Sequence, residues 1–137
     1  MKRYCARCNR SISSKNSSGL CQQCVIDVRR ATKIATWLAS GDTGMKADTT
    51  IRGVIREYIL ETQQHRCAIC GLSDSWNGKK LNFILDHING DASNSSPSNV
   101  RLICPNCDSQ LDTYKSKNKN SARTSRKEFL KQIREIK

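Results

Sequence analysis

Eight cysteines are the residues whose type and spacing point most directly to chemistry in this 137-residue chain, and all eight fall into Cys-x-x-Cys pairs. A Cys-x-x-Cys turn lets two thiolates bind one ion, and two such turns complete a closed tetrahedral zinc shell. Pairing in sequence order predicts two structural Zn²⁺ sites. The expected ligands are Cys5, Cys8, Cys21 and Cys24 in the first site and Cys67, Cys70, Cys104 and Cys107 in the second.

Disulfides and redox chemistry are weaker interpretations of these pairs. Cysteine makes up about 6% of the chain, below the ~8–10% of small disulfide scaffolds. The N-terminus MKRYCARCNRS is not a signal peptide and no apolar run is long enough to span a membrane, so we expect a cytoplasmic protein without a membrane partner. A thioredoxin-like pair requires a βαβ pattern, which the sequence lacks.

The charge of the chain indicates a polyanionic partner. The formal net charge is +12, and it is concentrated at the ends: residues 1–33 and 115–137 each carry +7, whereas residues 34–114 carry −2. Cationic ends of this kind suit a phosphate backbone. The residues expected to bind nucleic acid are Arg3, Arg7, Arg10, Arg101, Lys115, Lys117, Lys119, Arg123 and Arg126. Only 36% of the residues are hydrophobic, so we expect zinc binding to contribute to folding.

Several short elements must position these residues. Helical spacing of apolar residues predicts a helix from Val25 to about Ser40 and a second over about 50–63, with Thr49 or Thr50 as its N-cap. The turn at 41–44 is a plausible hinge between them. Strands are predicted at 81–85 and 100–103, a helix from after Cys107 to about Lys115, and a basic amphipathic helix from Ser125.

One stretch adds a denser chemical pattern. Residues 85–108 contain LDHINGD followed by SNVRLICPNCD. In this pattern the sequence resembles the HNH, or ββα-metal, endonuclease family, in particular its zinc-stapled phage-type members, over about residues 58–117. The resemblance implies a small α+β, zinc-stabilised fold with a treble-clef-like ββα core. The expected division is an N-terminal Cys₄ module and helix at 1–40, a linker at 41–49, the nuclease core at 50–117 and a basic tail or helix at 118–137.

The resemblance also implies roles for four residues. His87 is expected to be the general base, Asp86 and Asp108 to hold one Mg²⁺ or Mn²⁺, and Asn99 to order the loop that follows the histidine. Asp108 departs from the His or Asn that usually fills its position, although a carboxylate is a good ligand for either ion. Because regular strand alternation places Asp86 and His87 on opposite faces, we expect the strand to break there.

The implied activity is metal-dependent hydrolysis of double-stranded DNA by a monomer that cuts one strand at a time, leaving a 5′-phosphate and a 3′-hydroxyl. Its expected setting is a bacterial cell or a phage-infected host. Two alternatives stay open. One is a non-catalytic zinc-dependent nucleic-acid-binding module, such as a regulator or phage packaging accessory, and the other is an RNA nuclease that uses the same residues.

The cysteine spacing makes a direct compositional prediction. Purified protein is expected to contain two zinc ions per chain, because two closed Cys₄ shells use all eight thiolates. Elemental analysis of the purified protein measures this ratio. A ratio near one would remove either the N-terminal site or the pairing of cysteines in sequence order.

Overall fold

The computed structural model describes residues 2–44, 51, 53–119 and 122–135. The described strands form three small antiparallel sheets of two strands each. In chain order the elements are β1 (Arg3–Tyr4), β2 (Ser11–Ile12), α1 (Gln22–Ser40), α2 (Val54–Thr62), β3 (Ser75–Trp76), β4 (Lys79–Lys80), β5 (Ile84–His87), β6 (Val100–Ile103), α3 (Pro105–Ser109) and α4 (Ala122–Glu135), with a 3₁₀ turn at Lys115–Lys117 between α3 and α4.

Helix α1 grows directly out of the first cysteine cluster. The β1–β2 hairpin is followed by Cys21, whose extended backbone caps the helix, so α1 begins three residues before the predicted Val25. It ends at Ser40, as predicted, because Gly41 takes a left-handed conformation and its N–H donates to the Trp37 carbonyl. Trp37 is buried near the end of the helix.

Helix α2 is shorter than predicted. It begins at Val54 because Gly53 has φ 56° and ψ −131°, which no α-helix continues. The expected N-caps Thr49 and Thr50 lie outside the described residues. The predicted apolar stripe is nevertheless buried, since Ile55 and Ile59 contribute to the main core.

The sheet that carries the chemical residues differs in position from the prediction. Strand β6 occupies the predicted 100–103, but β5 spans Ile84–His87 instead of 81–85. The N–H of Leu81 donates to the Asp74 carbonyl, which ties this end of the predicted strand to a neighbouring segment instead of β6. The strand ends at Asp86–His87, at the mouth of the loop, as predicted: β5 ends at His87, where a tight turn closes with Gly90 N–H donating to the His87 carbonyl. Both residues still pair with β6, so the strand is continuous up to that point.

The helix predicted after Cys107 also has different bounds. Helix α3 spans Pro105–Ser109. It begins at Pro105 because Cys104 is its N-cap and accepts the N–H of Cys107 through its sulfur. The helix therefore includes Cys107 and Asp108 in its first turns and stops well before Lys115. Helix α4 begins at Ala122, before the predicted Ser125. Among the described residues, every helix is too short or too polar to cross a bilayer.

The core makes a prediction about stability. Ile55 is fully buried, so Ile55→Ala should lower the free energy of unfolding by about 2–5 kcal/mol through lost burial and a residual cavity. Leu130 on α4 is 46% exposed, and Leu130→Ala should change it by less than about 0.5 kcal/mol. Urea unfolding of both variants in excess zinc measures the difference, and equal losses would contradict this assignment of the core.

Candidate functional site

The first cysteine cluster is arranged as a zinc site. The ligand atoms of Cys5, Cys8, Cys21 and Cys24 all lie within 4.8 Å of one another, and the sulfurs of Cys8 and Cys21 are 3.6 Å apart. The edge of a tetrahedron with Zn–S bonds of ~2.3 Å is about 3.8 Å. Backbone N–H groups, that of Cys21 above all, lower the pKa of Cys5 to about 6 against the effect of burial, so a thiolate forms readily there.

The second cluster has the same character and lies beside the strand and helix that carry the chemical residues. Its four ligand atoms, from Cys67, Cys70, Cys104 and Cys107, lie within 4.8 Å of one another. Burial opposes ionisation of Cys67, yet backbone N–H donors lower its pKa to about 6. Burial and the neighbouring sulfurs raise the pKa of Cys107 to about 12, a cost that a bound cation relieves. Two Cys₄ groups of this geometry fit two structural zinc ions.

Asp86 is a buried carboxylate held by an arginine. It lies in β5 opposite Arg101 of β6, and the Arg101 Nε–H donates to Asp86 Oδ2 over 2.7 Å. The Asp86 side chain is 6% exposed, whereas that of Arg101 is 29% exposed. Arg101, which the sequence analysis assigns to nucleic-acid binding, therefore has an ion-pair partner inside the candidate site.

Asp108 lies in α3, which packs against β5. Burial raises the pKa of Asp108, the charge of Asp86 raises it further, and Lys115 acts in the opposite direction. The two carboxylates are thus close enough to repel each other. Such a pair suits Mg²⁺, which is commonly bound by one or two carboxylates with water and phosphate completing its shell. In the described part of the chain only the cysteine clusters bring three or more candidate ligand atoms together, so these two aspartates leave most of a metal's coordination to other ligands.

His87 ends β5 with an unused ring nitrogen. Its Nε2 atom is buried and has no hydrogen-bond partner among the described residues. Burial lowers the pKa of His87, while the charges of Asp86 and Asp91 act against that shift. The residue as a whole is half-buried.

Asn99 organises the loop 88–98 that joins β5 to β6. Its Oδ1 accepts the N–H of Asn89 at 3.1 Å, and its Nδ2 donates to the Asn94 carbonyl at 2.7 Å and to Asn89 Oδ1 at 2.9 Å. The Asn99 side chain is buried. Its amide therefore joins the start of the loop, next to His87, to the middle of the loop.

The predicted nucleic-acid contacts are mostly exposed. Arg3 is exposed, although its Nη1 donates to the carbonyls of Ser14 and Asn16. The side chains of Arg123 and Arg126 lie outside the described residues. The Nζ of Lys115 lies over the ring of Tyr114, 4.8 Å from its centroid. The other exposed predicted contacts are Arg7, Arg10, Lys117 and Lys119.

Two contacts to loop 88–98 were not anticipated from the sequence. Trp37 Nε1–H donates to the Ser95 carbonyl at 2.8 Å, and Asn118 Nδ2–H donates to the Gly90 carbonyl at 2.8 Å. The apolar stripe of α1 indicated that Trp37 faces a core, but backbone carbonyls as partners leave no signal in side-chain spacing. The β3–β4 hairpin was also missed, although Asn77-Gly78, both with positive φ, is a typical hairpin turn.

Comparison with known proteins gives a partial match to a phage endonuclease. The H-N-H endonuclease F-TflIV of Escherichia phage T5 is 39% identical to this chain over 54 residues. That segment is 39% of this chain and 23% of the phage protein, so the chain matches less than a quarter of that relative's length. No family model and no solved structure matches the chain. The partial similarity supports the HNH family, and the two Cys₄ groups are compatible with zinc modules.

The Asp86–Arg101 pair makes a prediction of its own. Arg101→Met should lower the free energy of unfolding by about 1–3 kcal/mol, because it leaves the carboxylate of Asp86 buried and unpaired. The double variant Asp86→Asn/Arg101→Met should recover part of that loss, since no unpaired charge is then buried. Urea unfolding in EDTA-free buffer with saturating zinc measures both. A double variant less stable than Arg101→Met alone would show that Asp86 does not depend on Arg101.

Proposed function

We propose that this protein is a metal-dependent DNA endonuclease of the HNH type. The observation that carries the proposal is the packing of α3 on β5, which brings Asp108 near enough to Asp86 for the charge of Asp86 to raise the pKa of Asp108, with the half-buried His87 next to Asp86 at the end of β5. The succession of β5, β6 and α3 has the order of a ββα-metal core. The partial similarity to a phage endonuclease supports the same activity.

His87 is the proposed general base. Its lowered pKa keeps the ring neutral at pH 7, and a neutral imidazole accepts a proton from water as that water attacks phosphorus. In the neutral ring one nitrogen carries a proton and the other has a lone pair that can accept the proton from water. Asn99 supports this role by ordering the chain that follows His87.

Asp86 and Asp108 are the residues that would hold Mg²⁺ or Mn²⁺. A divalent ion there supplies charge that stabilises the phosphoryl oxygens and the departing 3′-oxygen. Asp86 has Oδ1 left for this purpose, because Oδ2 accepts the bond from Arg101. The second Cys₄ cluster lies next to Asp108 along the chain, and its four sulfurs would fill the shell of a zinc ion, so the proposed role of that ion is structural.

The proposed substrate is double-stranded DNA, bound through the cationic ends of a monomer. Phosphate contacts from exposed arginines and lysines give sequence-independent, salt-sensitive affinity. One base and one metal site cut one strand at a time, so supercoiled plasmid should pass through an open-circle form before linear product accumulates. Direct conversion to linear product at limiting enzyme would contradict a nicking monomer, and parallel digestion of RNA and DNA compares the two substrates.

The Asp86–Arg101 ion pair favours a second candidate function. Arg101 already pairs with the buried carboxylate of Asp86, so the fold does not need a divalent ion to neutralise that charge. A nucleic-acid-binding module without a catalytic metal could therefore keep the same pair. This candidate and the nuclease share the zinc sites and the basic ends. They differ in whether His87 is needed for anything other than folding.

The two histidines of the chain offer a matched test. His87→Ala should reduce plasmid cleavage with Mg²⁺ or Mn²⁺ at least about 100-fold, because it removes the proton acceptor. His65→Ala is the control: His65 is exposed, lies outside β5 and α3, and its Nδ1 pairs with Asp74 at 2.9 Å, so cleavage should stay within about twofold of wild type. Gel-shift affinity for the same DNA, measured in zinc-containing buffer without Mg²⁺ or Mn²⁺, should be unchanged in both variants.

The outcomes separate the two functions. Wild-type protein that shifts DNA on a gel but cleaves none over a series of divalent metals would replace the nuclease with the binding module. Equal cleavage by wild type and His87→Ala would remove His87 from the reaction.

A further inference from the structure

Helix α1 reaches from the first zinc site to the loop that follows His87. Cys24 lies in the first turn of α1, and Trp37 lies in its last turns. Trp37 is 2% exposed, and its indole N–H donates to the Ser95 carbonyl in loop 88–98. At the end of the helix, a Cβ added to Gly41 would lie 3.3 Å from Ser96 Cα, so the helix terminus packs closely on the same loop.

Two further contacts hold α1 against the core. The Arg30 guanidinium donates to Glu57 Oε2 and to Glu61 Oε1 of α2, each at 2.8 Å. The ring of Trp37 meets the ring of Tyr58 edge to face, with centroids 6.2 Å apart. Because α1 is tied to α2 along its length, the indole N–H reaches Ser95 from a rigid support.

Loop 88–98 is held mainly by polar contacts. Asn99 binds it from within, Asn118 donates to Gly90 near its start, and Trp37 donates to Ser95 near its end. Its first residue follows His87, and its last precedes Asn99. A shift of the loop would therefore move the residue that follows His87 and the residue that precedes Asn99.

We propose that α1 of the N-terminal zinc module positions loop 88–98, with Trp37 as the positioning residue. Trp37 acts through the Ser95 carbonyl and contacts no reacting group. The proposal rests on the proposed nuclease function for its effect on cleavage, but its effect on the loop can be measured independently. A zinc ion bound by the first Cys₄ cluster would order the start of α1 and, through α1, would also support loop 88–98.

Two tryptophans allow a matched test. Trp37→Phe keeps a buried aromatic ring beside Tyr58 and removes only the N–H donor and part of the ring. Trp76→Phe makes the same change at an exposed hairpin residue, 62% exposed. In the full-length zinc-loaded protein, amide hydrogen exchange in 88–98 should become at least about tenfold faster in Trp37→Phe and stay unchanged in Trp76→Phe. Of the two tryptophans, Trp37 is the one that donates a hydrogen bond to the loop.

Cleavage kinetics supply the second readout. Single-turnover cleavage of a supercoiled plasmid should slow about tenfold in Trp37→Phe, because small misplacements of reacting groups are costly in rate. DNA affinity in zinc-containing buffer without Mg²⁺ or Mn²⁺ should match wild type. If Trp37→Phe does not fold, Arg30→Gln replaces it. This change weakens the ion pairs from Arg30 to Glu57 and Glu61 of α2, so exchange in 88–98 should again become faster.

Each outcome decides the proposal. Faster loop exchange with slower cleavage and unchanged affinity supports it. Unchanged loop exchange overturns it, and so does faster exchange with cleavage equal to wild type. A general loss of protection in β6 and α3 as well as the loop would show a purely structural role for Trp37 and overturn it too. If wild-type protein cleaves no DNA, the nuclease function fails, while the exchange data still decide whether Trp37 orders the loop.

Discussion

The second Cys₄ cluster is the constraint on which the candidate site depends. Cys104 follows β6 and caps α3, while Cys107 precedes Asp108 by one residue. Cys104 N–H also donates to the sulfur of Cys67. This bond joins the turn that carries Cys67 and Cys70 to the end of β6. A zinc ion held by these four sulfurs would tie the start of α3 to the turn at 67–70. Since α3 packs on β5, such an ion would also help to fix Asp108 relative to Asp86.

Electrostatics within the site follow from this packing. Two carboxylates are brought together in a partly buried place, and one of them is paired with Arg101. Lys115 acts against the shift, yet the pKa of Asp108 stays raised. Two carboxylates are thus brought near each other in a chain whose ends are strongly positive. Separation of charge along the chain lets one part attract phosphate and another attract a cation.

Loop 88–98 depends on contacts with distant parts of the chain. Trp37 is 58 residues from Ser95 in sequence, and Asn118 is 28 residues from Gly90. A loop with few buried apolar residues gains its order from hydrogen bonds of this kind, which also satisfy backbone carbonyls that would otherwise lose water. The N-terminal helix and the segment after α3 therefore both contribute to the surroundings of His87.

Local spacing in the sequence was enough to predict the two cysteine sets, the end of α1 at Ser40 and strand β6, because each depends on residues close together in the chain. The resemblance carried by residues 85–108 also predicts roles for Asp86, His87, Asn99 and Asp108, and these roles stay predictions. Tertiary structure alone decided where β5 and α3 begin and end, because a strand extends as far as its partner allows and the sulfur of Cys104 starts the helix early. It also decided that Arg101 pairs with Asp86 and that Trp37 reaches Ser95. These contacts depend on how distant elements pack against each other, and the spacing of residues along the chain does not predict them.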